Sequence, residues 1–287
     1  MTSHKQPKNS QSLDILNRLG IAEEEWRAQG IATKTLVAIY YDFLQRKSEL
    51  MDVAELTASV MQQIPQVHAV RYRVKDPLHL LRKVIRKKYE YPDRTIDEHN
   101  YVDWINDLAG VRVLYLYKEC WREVGSFIQD TWELKRAPIA YINAETDTAT
   151  AQMFSEAGCN IRHHDQGYRA VHYVIHSNTK RQRYFVEIQL RTLFEEGWSE
   201  IDHSIRYPDH TCGATIRDLL TILNRLTGQA DQIASFIKTV LDKAYTSQPL
   251  TQPEQTQLLD QLHNLPIGPK EKRRLQMHVE QMLRRAK

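Results

Sequence analysis

Residues 183–207 place a strand pattern directly before a helix pattern, with no loop between the two. Alternate side chains in the first half are apolar, which predicts a half-buried strand. These apolar residues are Tyr184, Val186, Ile188 and Leu190. The opposite side of the same strand carries Glu187, Gln189 and Arg191. Such a row of polar groups on a sheet is either a solvated surface or a site.

The helix that follows has a predicted cap and two distinct stripes. Thr192 can accept a hydrogen bond from an N–H of the first turn, so we expect the helix to begin there. Spacing near 3.6 residues predicts that an apolar stripe is buried. This stripe consists of Leu193, Gly197, Ile201 and Ile205. A polar stripe follows another face of the helix and consists of Glu196, Glu200, His203 and Tyr207.

Composition excludes several classes of protein. The chain has 287 residues and no apolar run near the roughly 20 residues that a membrane helix needs. The polar residues 1–10 are not a secretory signal and are expected to be disordered. Three separated cysteines favour neither a disulfide framework nor a zinc site, and a reducing cytoplasm is expected. The net charge of +3 does not indicate a nucleic-acid binder.

A cationic strand and helix precede the polar strand in the chain. Residues 66–75 read as a strand with Arg71, Arg73 and Lys75 on one side. Three cations cannot face an apolar core without partners. Pro77 then begins a helix, and its many cations include Lys83. The pair is a predicted cradle for polyphosphate, with a solvated basic face as the alternative.

Two further strands bring polar groups toward Glu187. Asp107 lies at the start of a strand over 111–117, which also contains Arg112. Residues 168–176 alternate, and a turn at 178–182 would pair them antiparallel with the Glu187 strand. His172 can then lie on the same side as Glu187. Two carboxylates beside several cations suit a hydrated Mg²⁺ that bridges them to a triphosphate.

Four regions are expected along the chain. They are a disordered tail at 1–10, N-terminal helices at 11–64, a core at 65–210 and a helical region at 211–287. Residues 143–166 read as a long polar connection with one helical turn, and connections of that length are more often functional than filler. The pattern His163-His164-Asp165 within it has no third ligand at a defined spacing, so a metal site there is not favoured.

Several short motifs in order resemble the RelA/SpoT synthetase domain over about residues 35–210. They are Arg73-Val-Lys75 with Lys83, Asp107-Leu-Ala-Gly-Val-Arg112, Gly167-Tyr168-Arg-Ala-Val-His172, and Glu187-Ile-Gln-Leu-Arg-Thr192 with Trp198, His203 and Tyr207. The spacing after Glu187 is similar to that of small alarmone synthetases. The resemblance implies an α+β fold, a nucleotidyltransferase-like mixed sheet flanked by helices with a C-terminal helical extension.

The resemblance also implies an activity and a role for each matching residue. The activity is transfer of the β,γ-pyrophosphate of ATP to the 3′-hydroxyl of GDP or GTP, which makes (p)ppGpp. Asp107 and Glu187 would bind Mg²⁺, and Glu187 would also help to deprotonate the acceptor. ATP would be bound by Arg71, Arg73, Lys75, Lys83 and Arg112. The acceptor would be bound by Tyr168, His172 and Gln189, with Arg191 and His203 in support.

Departures from the family pattern leave alternatives open. Asp76-Pro77 replaces the usual serine after Arg-x-Lys, and the stretch 143–166 replaces the Pro-Lys that follows Tyr-Ile. The acceptor could therefore be an adenosine nucleotide or the 3′ end of tRNA, which the basic last helix would suit. A degenerate nucleotide-binding protein or scaffold is a further alternative. Residues 1–64 show no hydrolase metal set, so synthesis without degradation is expected. The family also implies a homo-oligomer formed through terminal helices.

Overall fold

The computed structural model describes residues 14–143, 148–177, 183–206, 213–244 and 250–285. The expected tail at 1–10, the turn at 178–182 and Tyr207 lie outside this part of the chain. Helices α1 (Glu23–Ala28) and α2 (Thr33–Met61) come first. Then follow β1 (Ala69–Val74), α3 (Pro77–Glu90), α4 (Tyr101–Trp104), β2 (Ala109–Tyr115), α5 (Cys120–Thr131), β3 (Ile139–Ile142), α6 (Thr148–Glu156) and β4 (Asn160–His163). The chain continues with β5 (Ala170–Ser177), β6 (Tyr184–Thr192), α7 (Leu193–Arg206), α8 (Ala214–Ala244), α9 (Gln252–His263) and α10 (Pro269–Arg285).

Six strands form one mixed sheet in the order β1-β2-β6-β5-β3-β4. The predicted antiparallel pairing of β5 with β6 is confirmed, and His172 lies opposite Gln189. Strand β2 runs parallel to β6, so that Arg112 also lies opposite Gln189. Strand β1 pairs antiparallel with β2 and places Arg71 opposite Arg112. The register therefore aligns Arg71, Arg112, Gln189 and His172 across one face, here called the front face.

The back face of the sheet is apolar. It contributes Val111, Val113, Tyr173, Ile188 and others to a core with the N-terminal helices. Helix α2 supplies Leu36, Ile39 and Phe43 to this core, all three without exposed surface. A second, smaller core lies among the C-terminal helices and contains Phe236, Leu258 and Leu262. The expected fold, a mixed sheet flanked by helices with a C-terminal helical part, is confirmed. The division into four regions stays a prediction.

Some local predictions were wrong. Residues 97–106 contain only the short helix α4 at Tyr101–Trp104. The stretch 143–166, expected to be a polar connection with one helical turn, contains the longer helix α6 around that turn and also the edge strand β4, which pairs parallel with β3. Its short segments show little periodicity, and β4 is held by pairing with a strand distant in the sequence.

The predicted buried stripe of α7 was also wrong. Leu193 and Ile201 are 37% and 44% exposed, whereas Glu196 is only 5% exposed. Glu196 faces the sheet instead, because cations of the front face compensate the charge of its carboxylate. No helix in the described part of the chain is long and apolar enough to cross a membrane.

Candidate active site

A cavity of about 190 Å³ opens on the front face of the sheet. It brings together the polar residues of β1, β2, β6 and α7, which are distant in the sequence. The lining residues are Arg71, Tyr72, Arg73, Asp107, Gly110, Val111, Arg112, Glu187, Gln189, Glu200 and His203. Both predicted catalytic carboxylates, Asp107 and Glu187, therefore line one cavity.

Asp107 is held between two lysines just before β2. Lys75 Nζ donates to Oδ2 at 2.7 Å, and Lys83 Nζ lies 2.7 Å from Oδ1. All three side chains are largely buried, with 13%, 19% and 14% exposure for Lys75, Lys83 and Asp107. Burial opposes ionisation of the carboxyl, but the two ammonium groups outweigh it and lower the pKa of Asp107. Burial lowers the pKa of Lys75, and the negative charge of Asp107 partly offsets this lowering.

Glu187 lies in the centre of the sheet on β6. His172 Nδ1 is 3.4 Å from its Oε1, and Gln189 Nε2 donates to its Oε2 at 2.6 Å. Burial again opposes ionisation, but His172, Gln189 and Lys83 together lower the pKa of Glu187. The negative charge of Glu187 in turn opposes ionisation of Asp107, as expected for two carboxylates at one site. The carboxyl groups of Asp107 and Glu187 are therefore both ionised at neutral pH.

Two arginines on neighbouring strands are held by carboxylates of α7. Arg112 Nη1 donates to Glu196 Oε1 at 2.9 Å and also to Glu200 Oε1. Arg71 Nη1 lies 3.8 Å from Glu196 and 4.0 Å from Glu200. Burial lowers the pKa of Arg112, but the two carboxylates outweigh it and raise the pKa. Like charges directly opposite on a sheet repel each other, so Glu196 and Glu200 stabilise this pair.

Tyr168 lies next to His172 and Arg191. Its hydroxyl is 2.7 Å from His172 Nε2 and accepts a hydrogen bond from Arg191. The guanidinium of Arg191 also lies over the ring, 4.7 Å from its centroid. Burial raises the pKa of Tyr168 to about 12, although Arg191 lowers it. Tyr141 packs edge-on against Tyr168, with ring centroids 5.6 Å apart.

Asp107 and Glu187 have the chemistry of a divalent-cation site. Asp107 Oδ1 is buried, and it contacts the ammonium group of Lys83 at 2.7 Å without meeting the geometry of a hydrogen bond. Mg²⁺ commonly takes one or two protein carboxylates and completes its shell with water and phosphate oxygens. No group of three or more metal-ligating side chains occurs among the residues that the structure describes. The residues present therefore fit an ion shared with a phosphate substrate.

Comparison with known proteins finds a family that matches the part of the chain around this site. Residues 72–211 match the family described as "Region found in RelA / SpoT proteins". The chain carries a RelA/SpoT region. The matched segment includes Asp107, Glu187 and every front-face strand except the first residues of β1. No curated protein matches the chain significantly.

Several solved structures are similar to this chain at low sequence identity. Small alarmone synthetase 1 from Bacillus subtilis is 20% identical over 73% of this chain and 96% of its own, with a TM-score of 0.47. A GTP pyrophosphokinase family protein from Streptococcus pneumoniae is 22% identical over 74% of this chain and 94% of its own, with a TM-score of 0.45. The same Bacillus synthetase bound to its product pppGpp gives 20% identity over 73% and 97% of the two chains and a TM-score of 0.44.

The structure brings the predicted site residues together in three neighbouring sets. The first set lines the cavity and consists of Arg71, Arg73, Asp107, Arg112, Glu187, Gln189 and His203. The second consists of Lys75 and Lys83, which bind Asp107. The third consists of Tyr168, His172 and Arg191, which join Glu187 and Gln189 through hydrogen bonds and the 3.4 Å contact between His172 Nδ1 and Glu187 Oε1. The roles of these residues stay predictions.

Sequence reasoning missed two carboxylates of this region. Glu196 and Glu200 contact the front-face arginines, but the sequence only showed that they share a helical stripe. The signal available in the sequence was the polar stripe of a helix that directly follows a polar strand. A second cavity, of about 870 Å³, lies between the sheet ends and helices α5, α6, α8 and α9, and contains none of the predicted residues.

Proposed function

We propose that the RelA/SpoT region transfers the β,γ-pyrophosphate of ATP to the 3′-hydroxyl of GDP or GTP. The observation that supports it most directly is the position of Asp107 and Glu187. They come from different elements, line one cavity and adjoin five cationic side chains. Pyrophosphoryl transfer depends mainly on positioning and on neutralisation of phosphate charge, and this cavity offers both.

ATP would occupy the side of the cavity formed by β1 and β2. Arg73 and Arg112, which both line the cavity, would hold the adenine between them. Lys75 and Lys83 would bind the phosphates. Both ammonium groups lie 2.7 Å from Asp107, and therefore beside the carboxylate proposed to hold Mg²⁺. Arg71 is 64% exposed at the cavity mouth, where it can meet an incoming triphosphate.

The acceptor would lie next to the cavity, against β5 and β6. The ring of Tyr168 would stack on the acceptor base, with His172 and Gln189 near the sugar and phosphate. Glu187 would take the proton of the 3′-hydroxyl, since its lowered pKa keeps it ionised at neutral pH. His172 lies 3.4 Å from Glu187 and holds its orientation. Arg191 and His203 would support this arrangement.

Asp107 and Glu187 would hold Mg²⁺ together. When bound, Mg²⁺ would neutralise phosphate charge and favour ionisation of the acceptor hydroxyl. The protein's own contribution is to fix both carboxylates at one cavity and to keep them ionised. A cytoplasmic location and the absence of a hydrolase activity stay predictions.

One assay tests the activity and the acceptor together. Purified protein with γ-labelled ATP and Mg²⁺ is incubated with GDP, GTP, ATP or tRNA, and the labelled product is identified. Label on the 3′ position of GDP or GTP is the expected result. Label on an adenosine nucleotide or on tRNA would replace the proposed acceptor but keep the chemistry. Absence of transfer to all four, with folded protein, would support a binding or scaffold role instead.

We further propose that the chain forms a homo-oligomer through its terminal helices. Helix α8 exposes an apolar row, which consists of Ile216, Leu219, Ile222, Leu226, Ile237 and Leu241. Apolar surface of this kind on a 31-residue helix is typical of an interaction site. Light scattering of the full chain should give a mass above that of the monomer. Leu219→Glu with Leu226→Glu should lower this mass while circular dichroism shows that the helices stay folded, and an unchanged mass would contradict the proposal.

A further inference from the structure

The carboxylate of Glu196 lies between the two sides of the candidate active site. Its Oε1 accepts a hydrogen bond from Arg112 Nη1 at 2.9 Å, and its Oε2 accepts one from Arg191 Nη1 at 2.9 Å. Arg112 belongs to the proposed ATP side, and Arg191 binds the acceptor-side residue Tyr168. A single buried side chain therefore connects two arginines that serve different substrates.

Burial makes this connection rigid. Arg191 and Glu196 are only 2% and 5% exposed. Arg191 is also held by Ser199 Oγ at 2.9 Å and by Gln189 Oε1 at 2.7 Å. A buried ion pair with several hydrogen bonds has few alternative geometries, because separation leaves an uncompensated charge. Movement of Glu196 therefore has to be followed by Arg191, and Arg191 in turn holds the hydroxyl of Tyr168.

The neighbouring carboxylate provides a contrast within the same helix. Glu200 contacts Arg112 and Arg71 but not Arg191. It is 42% exposed, whereas the side chain of Glu196 is 7% exposed. Glu200 therefore touches only the ATP side, and Glu196 touches both sides. The two residues are one helical turn apart, which makes Glu200 a matched control.

We propose that Glu196 is a positioning residue that couples occupancy of the ATP side to the orientation of Tyr168 on the acceptor side. ATP would draw Arg112 toward its base and weaken the contact of Arg112 with Glu196. Glu196 would then shift, Arg191 would follow it, and Arg191 would reorient the ring that receives the acceptor. The inference rests on the proposed function, because it needs ATP to bind beside Arg112.

The test follows Tyr168 directly and needs no acceptor. Protein is labelled with 3-fluorotyrosine, and the fluorine signal of Tyr168 is assigned by its loss in Tyr168→Phe. A non-hydrolysable ATP analogue is added, and its binding is measured separately by calorimetry. We expect the analogue to shift the Tyr168 signal in the wild type and in Glu200→Gln. The shift at saturation should be about threefold or more smaller in Glu196→Gln, since coupled neighbours lose their interaction when one is replaced.

A second variant covers the case in which Glu196→Gln fails to fold. Glu196→Asp keeps the negative charge that Arg191 needs but is one methylene shorter, so it cannot reach both guanidinium groups. We expect it to fold and to reduce the Tyr168 shift as well. In kinetics, both Glu196 variants should raise the KM of donor and acceptor together, whereas Glu200→Gln should raise the KM of the donor alone.

The outcomes separate this inference from the proposed function. An analogue that binds without moving the Tyr168 signal in the wild type overturns the inference alone. A shift of equal size in the wild type and both Glu196 variants also overturns it, because the ligand would then act on Tyr168 directly. An analogue that does not bind the folded wild type overturns the proposed function and the inference with it.

Discussion

The two faces of strands β2 and β6 are made by neighbouring residues of the same chain but serve different purposes. On the back face, Val111 and Ile188 have no exposed surface and belong to the main core. On the front face, Arg112 and Glu187 are also largely buried, but ion pairs and hydrogen bonds compensate them. Burial alone therefore does not distinguish a core from a site. What distinguishes them is whether a residue keeps water out or holds another charge in place.

The largest expected effect is the loss of transfer in Glu187→Gln. The amide keeps the shape of the side chain but cannot accept the proton, so the rate should fall about 10²–10⁴-fold. Transfer of label from ATP measures the rate, and thermal melting should show that the protein still folds. Full activity of Glu187→Gln would contradict the catalytic assignment.

Ile188, which follows Glu187 but lies on the back face, should lose stability and keep its activity when it is replaced. Ile188 is fully buried on the back face, so Ile188→Ala should lower the free energy of unfolding by about 2–5 kcal/mol. Urea denaturation measures this loss. Activity per folded molecule should stay near that of the wild type, because the side chain points away from the cavity. A stable Ile188→Ala with low activity would show that the two faces are not separate.

A smaller effect is expected at Asp231, a fully buried carboxyl on α8. Burial, together with the charge of Glu195, raises its pKa to about 7. The folded protein then binds a proton that the unfolded chain releases near pH 4, so stability should fall as pH rises from about 4 to 7. Asp231→Asn removes this loss and should be more stable than the wild type at pH 8 by about 1–3 kcal/mol.

The comparison of pH values is the control for this last prediction. At pH 4 the carboxyl is protonated in the folded protein and still partly protonated in the unfolded chain, so Asp231→Asn and the wild type should differ little in free energy of unfolding. Urea titrations at pH 4, 6 and 8 measure the difference. A difference that does not grow with pH would show that Asp231 is ionised in the folded protein, with its charge compensated by Lys118 and Arg169.

Local signals determined much of the fold and of the site. Alternation predicted β5 and β6 and their antiparallel pairing. The hydroxyl of Thr192 does accept a hydrogen bond from Glu195 N at 3.0 Å, as its position before the helix predicted. Asp107 and Glu187 were identified from their motifs, and the structure places both at one cavity. The strands, the helix cap and each separate motif depend on residues that are close together in the chain, where spacing is a sufficient guide.

Tertiary structure alone decided which face of α7 is buried and what Glu196 does. Periodicity favoured burial of Leu193 and Ile201, since a single helix is read by its apolar stripe. Glu196 turned inward instead because Arg112, distant in the sequence, and Arg191 compensate its charge. The pairing of β4 with β3 likewise depends on a partner outside its own segment. A sequence shows which groups carry charge, but only the folded chain brings together the opposite charges that make their burial stable.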